Sequence, residues 1–192
     1  MKILKGLTSL AVAGLVATAI TGCGEQPKPQ EETFKCKQEN VLAPKWTCTP
    51  FVDSAIADLG SAPKTAAGAG FQRRIALANA RSNLAQQIQS QVKDKVETFT
   101  RSTGVGAGES VDAVATAVSK QVAKVTLNGS KQVDSWKAPS GTLYVLVAVP
   151  EKTVNEAAKK AVKTSFKNDK ALWQQFQSKQ ALEGLDKEFP TD

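Results

Sequence analysis

The chain has 192 residues, a formal net charge of +7 at pH 7, three cysteines and no histidine. Without histidine, an imidazole general base, a Ser-His pair and the histidine-containing zinc sites are all excluded. No carboxylates are paired at a spacing typical of a general acid and base. We therefore expect a non-enzymatic protein without metal or cofactor, with a hydrolase built on a Ser-Lys dyad as a distant alternative.

Residues 1–22 have the organisation of an export signal. Lys2 and Lys5 precede an uncharged apolar run, and Ile20-Thr21-Gly22-Cys23 follows it as a lipobox. The small residues suit cleavage just before Cys23, whose thiol is the acceptor for diacylglycerol in bacterial lipoproteins. A membrane span and a plain secretory signal are the alternatives, but the run is shorter than the roughly 20 residues that a span needs.

Residues 23–35 predict a lipidated tether. Two or more acyl chains, such as palmitate, give stable membrane attachment. Gly24 stands where aspartate would be the inner-membrane sorting residue in Gram-negative bacteria, which indicates the periplasmic face of the outer membrane. The tether contains two prolines and no core-forming run, so it lets the following domain stand roughly 35 Å or less from the bilayer.

Cys36 and Cys48 are left as a pair once Cys23 carries lipid. An oxidising compartment predicts a disulfide between them, which contributes on the order of 3 kcal/mol by closing a short loop. Two buried free thiols are the alternative. We call residues 36–48 the collar, and we expect residues 36–192 to form one periplasmic domain.

Three stretches before residue 128 suggest regular structure. The small residues near 64–70 predict a short strand against which a helix lies closely. Apolar residues at helical spacing predict a long helix over 71–99. Valines three and four residues apart predict a second helix over 110–127, with Ser110 as its N-cap. A strand ending in a hairpin turn at Asn128-Gly129 is the rival interpretation of that last segment.

The rest of the chain predicts a hairpin and a third helix. The hairpin spans 131–149 and turns at Pro139 and Gly141. Thr153 and Glu156 form a capping box for a helix over 153–180 that runs into a frayed, charged tail. The predicted fold class is therefore α+β, with a small antiparallel sheet packed against long helices.

The second strand of the hairpin is apolar on both faces. Leu143, Val145 and Val147 alternate with Tyr144 and Leu146, so each face of the strand needs a cover. In one arrangement, the helices divide between the two faces and cover both of them. If they pack on one face, Tyr144 and Leu146 form an exposed patch that a second subunit would bury, and the chain is then a homo-oligomer.

Two arginines in the first long helix are the other candidates for a binding role. At 100° per residue, Arg74 and Arg81 project with Leu77 and Ile88. Either their stems cover the edge of the core while the guanidinium groups reach water or Asp134, or they contact a partner subunit or an anionic envelope ligand. Lipid headgroups and polysaccharide phosphates suit the basic charge of an exported chain better than nucleic acid does.

The order of these features resembles the Lpp-twenty family of small Gram-negative outer-membrane lipoproteins, which includes flagellar basal-disc lipoproteins. The resemblance covers roughly residues 68–149. It rests on Ala78-Asn79-Ala80-Arg81, Leu84-Ala85, Ile88, Val133-Asp134-Ser135-Trp136, Gly141 and Tyr144-Val145-Leu146-Val147. It implies an α+β domain, oligomerisation and an envelope or flagellar role without catalytic residues. The collar and the long C-terminal helix depart from the family pattern.

We therefore expect an outer-membrane lipoprotein that acts as a structural or interaction module of the cell envelope. Its expected partners are the bilayer, through acylated Cys23, further copies of itself, and envelope or flagellar proteins. A ligand- or polysaccharide-binding lipoprotein is the main alternative. A pocket lined by tryptophan and tyrosine with convergent polar groups would favour that alternative.

Overall fold

The computed structural model describes residues 35–106, 109–168 and 170–191. The predicted signal peptide, Cys23 and the tether up to residue 34 lie outside the described residues. From Lys35 onward the chain forms one compact unit. The fold is α+β, as predicted. None of the helices in the described residues combines the length and apolarity that a membrane-spanning segment needs.

Five strands and five helices make up the described structure, together with a 3-10 turn at Lys45–Thr47. In chain order they are β1 (Lys37–Gln38), β2 (Val41–Leu42), β3 (Ala55–Ala62), α1 (Ala69–Thr103), α2 (Glu109–Leu127), β4 (Lys131–Lys137), β5 (Leu143–Pro150), α3 (Glu151–Lys167), α4 (Lys170–Phe176) and α5 (Lys179–Glu188). The predicted helices over 71–99 and 110–127 and the hairpin over 131–149 are confirmed. The strand interpretation of the second helix is wrong, and that helix begins before Ser110, so Ser110 is not its N-cap.

The main sheet is antiparallel with the order β3-β5-β4. Its β3 strand lies outside the predicted elements, and the strand predicted near 64–70 is wrong because those residues form a loop and the first turn of α1. Few of the residues in β3 are large or β-branched, so its sequence lacks the usual signal of a strand. Packing against α1 and pairing with β5 hold it extended instead.

Gly60 permits this packing. A Cβ atom at position 60 would lie 2.5 Å from the Ala76 carbonyl oxygen and 2.7 Å from the Ala80 Cα. The backbones of β3 and α1 therefore touch where a side chain is missing. Small residues do allow a helix to lie close to a strand, as predicted. The strand in question is β3, however, and not the segment near 64–70.

Polar side chains of α1 also hold the strand. The Asn79 and Asn83 amides donate to the Ser61 and Leu59 carbonyl oxygens, each at 2.9 Å. The buried Gln72 amide donates to the Ala62 carbonyl at 3.0 Å and to the Gly141 carbonyl at 2.7 Å. These bonds connect α1 to backbone carbonyls of β3 and of the β4–β5 turn.

The helices pack on one face of the sheet only. Val145, Val147 and Val149 belong to the same buried cluster as the apolar stripe of α1 and the buried residues of α2, α3 and α5. The opposite face carries a second, smaller cluster, formed by Ala57, Leu146 and Ala148. The helices do not divide between the two faces, so the second face is covered by another part of the chain.

The predicted helix over 153–180 is in fact three helices. Helix α3 begins at Glu151, directly after Pro150, and no side chain caps its first turn, so the capping box of Thr153 and Glu156 is wrong. The fixed φ of Pro150 suits a helix start without a side-chain cap. Helix α5 has its own N-cap, Ser178, whose hydroxyl accepts from the Ala181 N–H at 3.2 Å.

The C-terminal segment is docked rather than frayed. Phe189 is fully buried, and the buried Asn155 amide donates to the Pro190 carbonyl at 2.8 Å. The Lys159 ammonium lies 2.8 Å from the Asp186 carboxylate. The charged residues predicted to fray the tail occupy its outer side, while its apolar residues complete the main core.

Candidate functional site

The collar is a disulfide-closed segment. Cys36 and Cys48 are bonded, with their Cα atoms 5.9 Å apart, so the predicted pairing is present and the free-thiol alternative is wrong. Strands β1 and β2 form a small hairpin inside the loop, with Glu39 and Asn40 at positive φ in its turn. Asparagine tolerates this left-handed conformation better than most residues.

The collar supplies the missing cover of the sheet. Trp46, with Val52 and Ala55 just beyond the collar, packs against the second cluster of Ala57, Leu146 and Ala148. Leu146 is only 2% exposed. The predicted exposed patch is therefore wrong for Leu146, because the chain's own N-terminal segment buries it before any second subunit is needed. Tyr144 is half-buried, with its ring 5.6 Å from that of Trp136.

Two polar contacts fix the collar to the β4–β5 hairpin. The Trp46 indole N–H donates to the Asp134 carboxylate at 2.7 Å. The Glu39 carboxylate accepts from the Ser140 hydroxyl at 2.6 Å and from the Ser140 N–H at 2.9 Å. Those two bonds hold the pKa of Glu39 below its usual value. Both contacts connect residues far apart in the chain, which no local sequence pattern reveals.

Arg74 and Arg81 do not converge on one site. Both are exposed, because the buried stripe of α1 recurs at every fourth residue through Ala76, Ala80 and Leu84 and leaves the two arginines outside it. The Arg81 Nε donates to the Ser130 hydroxyl at 3.2 Å, and the Arg74 guanidinium lies 5.6 Å from the Phe71 ring centre. The prediction that the two arginines project with Ile88 is wrong, since Ile88 belongs to the buried stripe and the arginines do not.

Two further residues, Arg73 and Asp58, carry interactions that the sequence analysis did not single out. Arg73 donates through Nε and Nη2 to the Gln132 side-chain oxygen, at 3.1 and 2.7 Å, and so connects α1 to β4. Asp58 lies on the helix face of β3, where burial raises the pKa of its carboxyl. In the ranges that the structure describes, no cluster of three or more His, Cys, Asp or Glu side chains is arranged to hold a metal ion.

A basic groove runs along α3. It has a volume of about 520 Å³ and is lined by lysines together with Glu156, Thr164 and Thr191. Lys159 is neutralised by Asp186, and its ammonium lowers the pKa of that carboxyl. Lys167 lies 5.1 Å from the Trp173 ring centre. Lys160 and Lys163 are exposed on the same side of the helix.

An apolar groove lies where the β4–β5 hairpin meets the segment after the collar. Its volume is about 540 Å³, and Val52, Val133 and Ala148 line it, with Asp53 and Lys131 at its polar rim. Among the described residues that line this groove, none is a tryptophan or a tyrosine. It therefore lacks the aromatic lining that would favour the ligand-binding alternative.

Comparison with known proteins identifies one family. A family model described as LPP20 lipoprotein matches residues 44–150, from the second half of the collar through the end of β5. No curated protein matches the chain. The matched span is wider than the resemblance over 68–149, and it includes Trp46 and β3. Helices α3 to α5 lie beyond it.

Proposed function

Because the chain belongs to the LPP20 lipoprotein family, we propose that it is an outer-membrane lipoprotein, anchored by acylated Cys23, whose domain is a non-catalytic structural or interaction module of the envelope. Family membership makes it an envelope lipoprotein held at a membrane. The proposal of an outer-membrane anchor at Cys23 rests on one observation. A lipobox and a tether precede the domain that matches the family.

The contacts that the polar side chains make within the fold support a structural role. Glu39 and Asp134 hold the collar, Asn79 and Asn83 hold β3, and Asp186 holds the C-terminal segment. Each of these groups that could bind a substrate is already paired within the fold. Self-association and association with envelope or flagellar proteins are part of the proposal, through surfaces other than the buried Leu146.

A ligand-binding lipoprotein is the second candidate. It rests on the size of the apolar groove beside Val52 and Val133, which is large enough for a small acyl or glycan fragment, although its described lining contains no tryptophan or tyrosine. Affinity capture of the intact lipoprotein from its own envelope separates the two functions. A protein partner supports the structural module, and a co-purifying small molecule in stoichiometric amount supports the ligand-binding function.

The anchor is tested by two substitutions in the lipobox region. Cys23→Ala should leave the protein unprocessed or soluble, since acyl chains supply the attachment. Gly24→Asp is the matched variant, which should keep the lipid and move the protein from the outer to the inner membrane. Detergent partitioning and membrane fractionation measure both effects. Partitioning unchanged by Cys23→Ala would refute the anchor, and an unchanged location of Gly24→Asp would refute the sorting.

A further inference from the structure

Exposed apolar side chains are concentrated in and just after the collar. Of the eight large hydrophobic residues that are exposed in the described structure, Val41, Leu42 and Phe51 lie within eleven consecutive residues. Leu42 is 68% exposed and Phe51 is 74% exposed, the two highest values among them. Single exposed hydrophobic residues are ordinary on protein surfaces, but a local group of them indicates a contact surface.

The fold of the collar keeps its exposed apolar side chains at the surface. The disulfide and the hydrogen bond from the Ala43 N–H to the Cys36 carbonyl, at 3.0 Å, fix the base of the hairpin that carries Leu42. The interior positions of the collar are already taken by Cys36 and Thr47, each 4% exposed. Their side chains contact each other at 3.1 Å. The exposure of Leu42 is therefore a fixed feature of the fold.

Around Leu42, within residues 35–48, the charges are mainly positive, while Phe51 is followed by the exposed Asp53. Lys35, Lys37 and Lys45 are exposed. Glu39, the carboxylate of this segment, is bound to the Ser140 hydroxyl and N–H, which partly satisfies its charge within the protein. Apolar side chains among exposed lysines are the combination that binds a bilayer surface. The apolar groups enter the headgroup region while the ammonium groups attract anionic lipids.

The position of the collar, close in sequence to the lipidated residue, also favours a bilayer surface as its partner. Twelve peptide units join Cys23 to Lys35, so the tether holds Lys35 within about 40 Å of the lipidated residue. The collar begins at the next residue. A short linker keeps a second binding site at a high effective concentration, so even a weak surface contact is populated.

We propose that the collar lies against the anionic surface of the bilayer that holds the anchor, with Leu42 and Phe51 in the headgroup region. This rests on the proposed anchoring through Cys23. The groove along α3 is basic too, but Lys159 and Lys167 are engaged within the fold, and no large hydrophobic residue of α3 is exposed in the part of the chain that the structure describes. The domain is then oriented with its disulfide-closed end toward the membrane.

The test uses the full processed, lipidated chain in vesicles that contain brominated phosphatidylglycerol and phosphatidylcholine. Leu42→Trp places a reporter in the collar, and Leu182→Trp, at an exposed leucine of α5, is the matched control. Quenching is measured relative to the unsubstituted chain, which has three tryptophans. We expect quenching of the tryptophan at position 42 to be at least twofold stronger than at position 182. Phe51→Trp is a second collar reporter if Leu42→Trp does not fold.

The outcomes separate the orientation from the anchor. Partitioning of the chain with equal quenching at both positions, or with stronger quenching at position 182, overturns the orientation alone. Failure of the chain to partition overturns both the anchor and the orientation. Replacing Lys35, Lys37 and Lys45 by glutamate should weaken the collar quenching at least twofold. Unchanged quenching in that variant would contradict the role of anionic lipid.

Discussion

Gly60 shows how a single missing side chain positions two elements. The space at position 60 is filled by the backbone of α1 at Ala76 and Ala80. Backbone atoms cannot move aside as the end of a flexible side chain can, so an added methyl group displaces the whole helix. The helix supplies the stripe of buried residues that the rest of the core packs against.

Gly60→Ala should therefore destabilise the domain by about 2 kcal/mol or more, because it overpacks the contact between β3 and α1. Gly70→Ala is the control, since a Cβ at position 70 of α1 meets no atom within 4 Å. It should raise stability by about 0.5–1 kcal/mol through the better helix propensity of alanine. Urea unfolding of the two variants measures both effects. Equal and small effects would show that α1 does not touch β3 at this position.

Glu39 gives the collar a defined pH dependence. Its pKa is lower in the folded state than in the unfolded state, so its contact with Ser140 adds stability that is fully present above the unfolded pKa and is lost as the pH falls through the folded pKa. Glu39→Gln should thus lower the melting temperature near pH 7, and this effect should shrink as the pH falls below the usual glutamate pKa of about 4.3.

Ser140→Ala is the control for that experiment, since it removes the hydroxyl donor while leaving the carboxylate in place. It should reproduce the loss near pH 7 in the same direction. A pH-independent effect of Glu39→Gln on the melting temperature would contradict the assignment and would point to packing of the β1–β2 turn instead.

Helix α5 closes the core through one aromatic residue. Phe189, at its C-cap, is fully buried, whereas Leu182 on the same helix is 43% exposed. Phe189→Ala should cost about 3–5 kcal/mol, because it leaves a cavity beneath the C-terminal segment. Leu182→Ala should change stability by less than about 0.5 kcal/mol. Chemical denaturation measures the pair, and similar losses in both would mean that the C-terminal segment is not part of the core.

At the scale of elements, periodicity predicted the two long helices because each has a buried stripe of its own, and the turn residues Pro139 and Gly141 predicted the hairpin. It did not predict β3, whose strand form depends on β5 and α1 rather than on its own side chains. Nor did it reveal the break between α3 and α4, since Phe166 and Trp173 lie seven residues apart, as they would on one face of a continuous helix. The sequence-based prediction placed Arg74 and Arg81 on the wrong face of α1. The reason is that the buried stripe of α1 recurs every fourth residue, so its direction drifts along the helix.

The candidate site was the least predictable part. The cysteine count and the expected compartment predicted the disulfide between Cys36 and Cys48. They did not indicate which part of the fold this disulfide holds in place. The contact of Trp46 with Asp134 joins residues 88 positions apart, and that of Glu39 with Ser140 joins residues 101 positions apart. The sequence showed that both faces of β5 need cover, without showing that the cover is the collar.

At the scale of the whole molecule, the sheet separates two layers of unequal size. All five helices pack on one side, and the collar with the segment up to Ala55 covers the other. The family match spans the sheet, α1, α2 and part of the collar, while α3 to α5 lie beyond it. The matched part therefore contains both faces of the sheet, and the C-terminal helices complete one layer of it.

The long separation between the collar and its contacts on β4 and β5 also orders the events of folding. In a chain that crosses a membrane from its N-terminus, Cys36 and Cys48 emerge first and close a loop with a sequence separation of only 12. The surface that receives Trp46 arrives nearly ninety residues later. Docking of Trp46 against the β4–β5 hairpin is thus a contact of high sequence separation, a kind that on general grounds forms late in folding. A sheet whose Leu146 face lacked the collar would present open apolar surface to other chains, so a chain without the collar should aggregate more readily during folding.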